Sequence, residues 1–418
     1  IKKRSIIVKM EKSNEHHMKK GIIGQVDKEH IFKSNIYKSY IFNMLMGFHL
    51  VAGVLIPFFL TWGKISFLDL MLLQSYFTIM IFLLEIPCGA VSDRVSRRLS
   101  LFLGALSSAT AVIIYSSFPN IIIFLIGETF FALGFAFISG TDEAFIYDTL
   151  RKLNREKDMT KIMAKNKSCM IAGIGISAPI GSTIALFIPI QYIMTLMFFP
   201  FITASLVSLT FREPNHNLEK ESVKYLSILQ SGFKKLKNNK TLRILTFDLI
   251  IIDSLVFFVL WIYQLYLGIM NIPLVFFGFI AAAMTISQVI FFNLVPKLEK
   301  FYTNKKLFLF IYTIIPGLAY IMIGVILFAP LGIILIIILI GSGLSRSIIF
   351  VNSINKMIEE ENRATVLSTI SMLENFIKAL LYPIIGILVM WNLQYTFVIL
   401  GVSILMIALL SRVENKLL

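Results

Sequence analysis

The sequence has 418 residues, of which 57% are apolar and only 15% are charged, and its mean hydropathy is +0.82. Soluble domains are typically about 45–50% apolar and about 25% charged, so this composition excludes an ordinary soluble fold and indicates a membrane protein. The formal net charge of +15 would suit a nucleic-acid partner. The cations, however, lie in short clusters between apolar runs, which argues against nucleic acid and for membrane topology.

The chain opens with a polar, basic segment and continues with apolar runs. Residues 1–35 lack the apolar core of a signal peptide, so we expect a cytoplasmic N-terminal tail and no cleavable signal. Each following run is long enough to cross a bilayer as a helix of about 20 residues. The twelve predicted spans are 37–60, 66–91, 99–117, 120–147, 164–187, 190–211, 243–267, 272–296, 306–328, 331–356, 364–390 and 394–411.

The longest connection between spans follows the sixth and divides the chain into two halves. Residues 36–211 and 243–412 are therefore predicted to be two pseudo-symmetric six-helix bundles, joined by a cytoplasmic linker at 212–242. The apolar spacing of the linker predicts an amphipathic helix on the inner leaflet. Residues 413–418 are predicted to be a cytoplasmic C-terminal tail. The predicted fold class is an all-α polytopic membrane protein with twelve transmembrane helices.

The distribution of Lys and Arg sets the orientation. Nearly all of the 39 Lys and Arg residues lie in the tails and in alternate connections, and the opposite connections hold only Lys64. By the positive-inside rule, both termini are cytoplasmic. Trp62 and Trp391 lie at predicted outer turns, where indole rings prefer the interface. We expect a multi-pass plasma-membrane protein surrounded by lipids, with no nucleic-acid partner.

A charged motif lies between the second and third spans. Residues 89–98 read Gly-Ala-Val-Ser-Asp-Arg-Val-Ser-Arg-Arg, with the defining positions Gly89, Asp93, Arg94, Arg97 and Arg98. The glycine permits close helix contact, the aspartate suits a helix N-terminus, and the arginines suit the anionic inner leaflet. The motif resembles the G-x-x-x-D-R-x-x-R-[RK] loop signature of the major facilitator superfamily.

This resemblance implies the superfamily fold and a gating role. The loop would latch the two halves in the outward-facing state by meeting the eleventh span, although a topology determinant alone is the alternative. Ser96 stands where the family usually has glycine, so the turn must form without an easy positive φ. Three further stretches, 84–87, 139–150 and 363–368, look like the bacterial drug:proton antiporter branch. Two departures make antiport less secure: Glu128 replaces an arginine, and the fifth-span motif is degenerate at 173–182.

Ionisable residues inside spans are costly in hydrocarbon, so each is a candidate for proton coupling or substrate binding. The candidates are His49, Glu85, Glu128, Asp142, Glu143, Asp253, Arg346, Glu374 and Lys378.

The candidates in the second half form two sets. In the superfamily, spans one, four, seven and ten line the cavity, so Asp253 and Arg346 are expected to bind substrate or protons. An interior ion pair that only fixes packing is the alternative. Glu374 and Lys378 are four residues apart on one helix face and are expected to neutralise each other. Asp248, near the inner end of its span, is expected to snorkel or cap.

The candidates in the first half can be interpreted as functional or as structural residues. Glu128 would carry a proton or make a polar helix contact. Asp142 and Glu143 are adjacent and point to different faces, so at most one lines the cavity. Glu85 is expected to act in gating or packing rather than in substrate contact. His49 would bind protons or substrate, or pack through a hydrogen bond.

The leading functional hypothesis is proton-coupled export of a small amphiphilic molecule by alternating access, in a monomer. The alternative is uptake or exchange of a nutrient or anion, with Arg346 and His49 as polar contacts. The sequence has no metal-ligand spacing, phosphate loop or nucleophile motif, so neither an enzyme nor a metal or other cofactor is expected.

Overall fold

The computed structural model describes residues 32–214, 232–358 and 360–413, without the side chains of 360–362 and 364. Every regular element in these ranges is helical, as predicted. Twelve helices follow the predicted spans: α1 (Phe32–Gly53 and Leu55–Trp62), α2 (Phe67–Arg94), α3 (Arg97–Ser117), α4 (Ile121–Lys152), α5 (Met159–Ile184), α6 (Ile190–Leu209), α7 (Lys240–Ile269), α8 (Val275–Glu299), α9 (Lys305–Val325), α10 (Ala329–Met357), α11 (Glu360–Trp391) and α12 (Leu393–Leu410).

Composition separates α5 from the other helices. Ten of the described helices are long and apolar enough to cross a membrane, and the bent helix α1 brings the number to 11. Helix α5 has 26 residues, but its glycines, serines and N-terminal lysines lower its hydropathy. Small residues on a span allow close approach of neighbouring helices. The low hydropathy of α5 therefore reflects its role as a packing helix.

Several helix starts are fixed by asparagine side chains. Asn120, Asn239, Asn304 and Asn392 stand immediately before α4, α7, α9 and α12, and each side-chain oxygen accepts a backbone N–H from the first helical turn. Such a cap satisfies one of the donors that a helix start leaves unpaired. The short turns between spans therefore end each helix at a defined residue.

Five of the described helices are interrupted within their length. Helix α1 bends by 66° between its two segments. Helix α4 breaks after Ile138, where Gly140 takes a left-handed φ of 71°. Helices α6, α7 and α10 break at Met197, Phe258 and Arg346. A break frees backbone N–H and C=O groups, which must find other partners inside a bilayer. Four of the five, α1, α4, α7 and α10, are the helices that the resemblance assigns to the cavity wall.

The two halves meet at one end of the bundle. We call the ends near residues 32, 214, 239 and 413 the inner side, and the opposite ends the outer side. The described hydrogen bonds between halves all lie toward the outer side. Gly278 of α8 lies so close to α5 that an added Cβ would be 2.1 Å from the Ala178 carbonyl oxygen. The described residues thus form a bundle closed on its outer side.

The end of the linker packs against the second half. Residues 232–238 form a short helix whose Gly232 contacts Thr369 of α11. Leu236 is buried in an apolar cluster with Val366 and Val413. This part of the linker therefore contacts protein. The interfacial helix was predicted from the apolar residues Leu226, Ile228, Leu229, Phe233 and Leu236, of which the first three lie outside the described residues.

Candidate transport site

The first half places one buried carboxyl beside neutral partners. Glu128 lies two turns into α4, and its side chain is only 2% exposed. It accepts a hydrogen bond from Gln74 Nε2 of α2 at 2.7 Å, and the Tyr115 hydroxyl of α3 is the other polar group beside it. Both neighbours belong to the first half, so Glu128 is buried between α2, α3 and α4 in the outer part of the bundle.

The second half places five ionisable side chains together. We call Asp248, Asp253, Arg346, Glu374 and Lys378 the C-half cluster. Arg346 is 1% exposed and forms an ion pair with Asp248. Its other terminal nitrogen lies 3.9 Å from Asp253 Oδ1. Buried charges of this kind persist only when they are paired and hydrogen-bonded.

Further contacts hold Arg346 in place. Its Nε donates to Thr313 Oγ1 of α9 at 2.8 Å, and its guanidinium lies 4.4 Å from the Phe350 ring centroid. Ser411, just after α12, donates to Asp248 Oδ2 at 2.5 Å. The break of α10 at Arg346 therefore coincides with a charge that joins α7, α9 and α10, while Ser411 ties the end of α12 to Asp248.

The predicted pair on α11 forms and extends the cluster. Lys378 Nζ donates to Glu374 Oε1 at 2.5 Å and lies 4.5 Å from the Phe257 ring centroid of α7. Both side chains also interact electrostatically with Asp253. The two residues therefore neutralise each other and also face α7.

The remaining candidates lie apart from these two centres. His49 lies in α1 just before the segment Leu50–Gly53 and packs edge-on against the rings of Phe131 and Phe201, with centroids 6.1 and 5.5 Å away. Glu85 of α2 accepts a hydrogen bond from Ser139 Oγ at 3.2 Å. None of these contacts reaches Glu128 or the C-half cluster.

The acidic pair of α4 lies on the inner side of its break. Asp142 and Glu143 occupy the first turn of the segment Thr141–Lys152, where the helix dipole favours anions. Asp142 Oδ1 accepts the Glu143 N–H at 2.9 Å, and the Glu143 side chain is exposed. Their charges therefore suit the start of this helical segment.

The loop motif makes its described contacts with the first half and with Glu213 at the start of the linker. Arg97 Nη1 donates to the Ala144 carbonyl at 2.6 Å and pairs with Asp148 of α4. Its backbone N–H donates to Glu213 Oε1 at 2.6 Å. An added Cβ on Gly89 would meet nothing within 4 Å, so this position faces open space. The latch to α11 stays a prediction.

Ser96 resolves the departure from the family motif. Its φ is −172°, which is extended backbone, and its Oγ accepts the Leu99 N–H at the start of α3. The turn therefore needs no positive φ, and serine serves as an N-cap. Asp93 is half-buried, while Arg94 and Arg98 are exposed at this turn.

A hydrogen-bonded contact that the sequence did not reveal joins the halves across the bend of α1. Gln264 of α7 is 3% exposed. Its Oε1 accepts the Ile56 N–H at 3.0 Å and its Nε2 donates to the Ala52 carbonyl at 2.9 Å. We call Gln264, Ala52 and Ile56 the outer clasp. One side chain thus satisfies two backbone groups that the bend sets free.

Three contacts were missed by sequence reasoning. Asp248, rather than Asp253, is the nearer partner of Arg346. Gln74 and Gln264 carry no charge and so do not stand out by burial cost, although a neutral amide within a span is also a signal of interhelical bonding. Among the described residues, no group of three or more His, Cys, Asp or Glu side chains is arranged to hold a metal ion.

Comparison with solved structures identifies the fold. The nucleoside transporter NupG superposes with a TM-score of 0.75 at 14% identity, covering 91% of this chain and 98% of that chain. A D-xylose-proton symporter gives a TM-score of 0.68 at 12% identity, covering 93% and 99%. A bacterial homologue of the human lysosomal transporter Spinster, in an inward-facing conformation, gives 0.69 at 14% identity, covering 91% and 95%. At these identities the likeness concerns the fold alone.

Sequence comparison identifies the family. A search of curated protein sequences finds no match. The family model described as Major Facilitator Superfamily matches residues 39–354, and this match agrees with the structural neighbours in confirming the predicted fold class. The chain therefore belongs to the Major Facilitator Superfamily and is a membrane transporter.

Proposed function

We propose that this transporter exports a small amphiphilic molecule in exchange for protons, by alternating access of the gap between its two halves. The observation that carries the proposal is Glu128, a carboxyl in the outer part of the bundle that is only 2% exposed. Its hydrogen bond comes from the neutral Gln74. The resemblance to the drug:proton antiporter branch supports the direction.

The surroundings of Glu128 favour proton exchange. Among the described residues, the ion pairs of Lys and Arg go to other carboxylates. An ionised carboxylate buried without a cation is costly. Glu128 would therefore hold a proton while the outer side is closed and release it when it meets water. A proton that moves with the conformational change couples transport to the gradient.

The walls of the gap suit an amphiphile. Half-buried rings of Phe77, Phe131 and Phe135 pack together in the first half, with centroids 5.3–6.0 Å apart. Charged groups stand opposite, in the C-half cluster. A molecule with an apolar body and a polar end would contact both surfaces, since aromatic and charged groups then serve different parts of it.

The proposal also covers the orientation in the membrane and the oligomeric state. We place both termini on the cytoplasmic face of a bacterial plasma membrane because the cations favour that side. We also propose that the protein acts as a monomer, since each chain carries both halves of its own gap.

Everted membrane vesicles with a pH-sensitive dye test the coupling. Candidate compounds added to wild-type vesicles should release protons, and Glu128→Gln should abolish the release because an amide carries no exchangeable acid proton. Asp69→Asn is the matched control, since this half-buried carboxyl caps the start of α2 by accepting the Ser66 N–H. A panel in which no compound releases protons, or an unchanged Glu128→Gln response, would refute proton coupling.

Uptake or exchange of a nutrient or anion is the second candidate. The observation that favours it is the pair of cations, Arg346 and Lys378, within the C-half cluster. Two structural neighbours are named a nucleoside transporter and a D-xylose-proton symporter. Accumulation of a labelled solute in intact cells would support uptake, whereas higher accumulation in a deletion strain than in the parent would support export.

A further inference from the structure

A cavity lies within the second half, apart from the gap between the halves. It is lined by α7, α9, α10 and the end of α12, is partly open, and has a volume of about 150 Å³. Polar residues Asp248, Thr313 and Arg346 line it together with Lys306 and Ser411, which stand at the inner ends of α9 and α12. A cavity of this size with several polar partners has room for ordered water.

A chain of polar contacts leads from this cavity toward the middle of the second half. Ser411 Oγ donates to Asp248 Oδ2 at 2.5 Å, and Asp248 is paired with Arg346. Arg346 Nη1 in turn lies 3.9 Å from Asp253 Oδ1. This Asp253 oxygen has no hydrogen-bond partner among the described residues, and the residue is only 5% exposed. The chain thus ends at a buried carboxyl that is incompletely satisfied.

The charges around Asp253 favour the binding of one proton. Asp248 faces it from its own helix α7, Arg346 from α10, and Glu374 and Lys378 from α11. These five side chains comprise three carboxylates and two cations, so the fully ionised group has one excess negative charge. One bound proton neutralises it, and neutrality lowers the cost of burying the group.

We propose that this cavity is a water-filled side entrance through which protons from the inner aqueous phase reach Asp253. A hydronium ion in the cavity gives its proton to the Asp253 carboxylate by way of Asp248 or an intervening water, and a water molecule remains. The reverse step returns the proton to the inner phase. The inference rests on the proposed proton coupling and adds a second proton site to Glu128.

A separate entrance would let protons exchange while a solute occupies the gap. A solute bound between the halves displaces water from the gap and blocks that route to Asp253. The side entrance lies inside one half, so Asp253 exchanges protons with the inner phase while the gap is occupied. Proton binding and solute binding then occur in either order, which an exchange carrier requires when the two ligands bind different groups.

Thiol labelling tests the entrance without any transported compound. Thr313→Cys is placed in a Cys88→Ser, Cys169→Ser background, and everted vesicles are treated with the charged, membrane-impermeant reagent 2-sulfonatoethyl methanethiosulfonate. We expect Cys modification from the inner face. Adding Ala408→Trp, which fills the cavity, should abolish it. Leu410→Trp is the control, because Leu410 is 73% exposed and does not line the cavity.

Proton release supplies the functional readout. With a compound active on wild type, Ala408→Trp should lose the proton response and Leu410→Trp should keep it. Membrane abundance is compared for both, and Ala408→Met, a smaller filler, should give an intermediate loss if Ala408→Trp misfolds. An unmodified Thr313→Cys thiol, or equal responses of the two Trp variants, would overturn the side entrance alone. A wild type without any proton response would overturn the proposed coupling and the proton route together.

Discussion

The outer clasp predicts how one substitution shifts the equilibrium between the closed and the open outer side. Gln264→Leu replaces the amide with an apolar side chain of similar size and so removes both hydrogen bonds to α1. The Ile56 N–H and the Ala52 carbonyl would then be buried and unpaired at the bend. Each unpaired group costs about 1–3 kcal/mol, so the closed outer side loses roughly 2–6 kcal/mol. The smaller figure already changes the ratio of conformations by roughly 30-fold.

Distance measurement between spin labels checks this shift. Labels at Phe187 and Asn271, in exposed outer turns of opposite halves, report the outer opening after the native cysteines are replaced. Gln264→Leu should lengthen the distance distribution relative to wild type. Gln191→Leu, at the outer start of α6, is the matched control because the described bonds of Gln191 use only its backbone. An unchanged distribution in Gln264→Leu, or equal shifts in both variants, would refute the reasoning.

Three further expectations follow from the described contacts. Arg346→Ala leaves the Asp248 carboxylate buried without its cation and should lower stability by about 3–5 kcal/mol, seen as reduced thermal stability in detergent; a variant as stable as wild type would contradict this. Gly278→Ala places a Cβ 2.1 Å from the Ala178 carbonyl and should favour opening of the outer side, whereas Gly268→Ala meets nothing within 4 Å and should behave as wild type. Glu213→Ala removes the acceptor of the Arg97 N–H and should speed amide hydrogen exchange there; unchanged exchange would disprove the contact.

The helices could be predicted because membrane burial leaves a strong signal in sequence. The predicted run 394–411 corresponds to Leu393–Leu410, and 190–211 to Ile190–Leu209. Asparagine caps mark several starts. The break at Phe258 could not be predicted, since no glycine or proline stands near it in the sequence. The break at Arg346 follows Gly341 and Gly343, which weaken the helix, but glycines alone do not fix the residue at which it breaks.

The site could be predicted only as a set of residue types. Depth in the bilayer singled out Arg346, but the choice between Asp248 and Asp253 depends on helix rotation and on the α10 break. The Glu374–Lys378 pair was readable because both residues lie on one helix at a fixed spacing. The contacts of Gln264 could not be predicted, because its partners are backbone groups at a bend that the sequence does not indicate.

Reciprocal motion of the two ends tests alternating access most directly. One label pair would report the outer side, at Phe187 and Asn271, and another the inner side, at the exposed residues Val95 and Phe301. When Gln264→Leu opens the outer side, the inner distance should shorten in the same protein, since the two halves rock about the gap between them. Inner distances that stay constant or lengthen together with the outer ones would contradict alternating access.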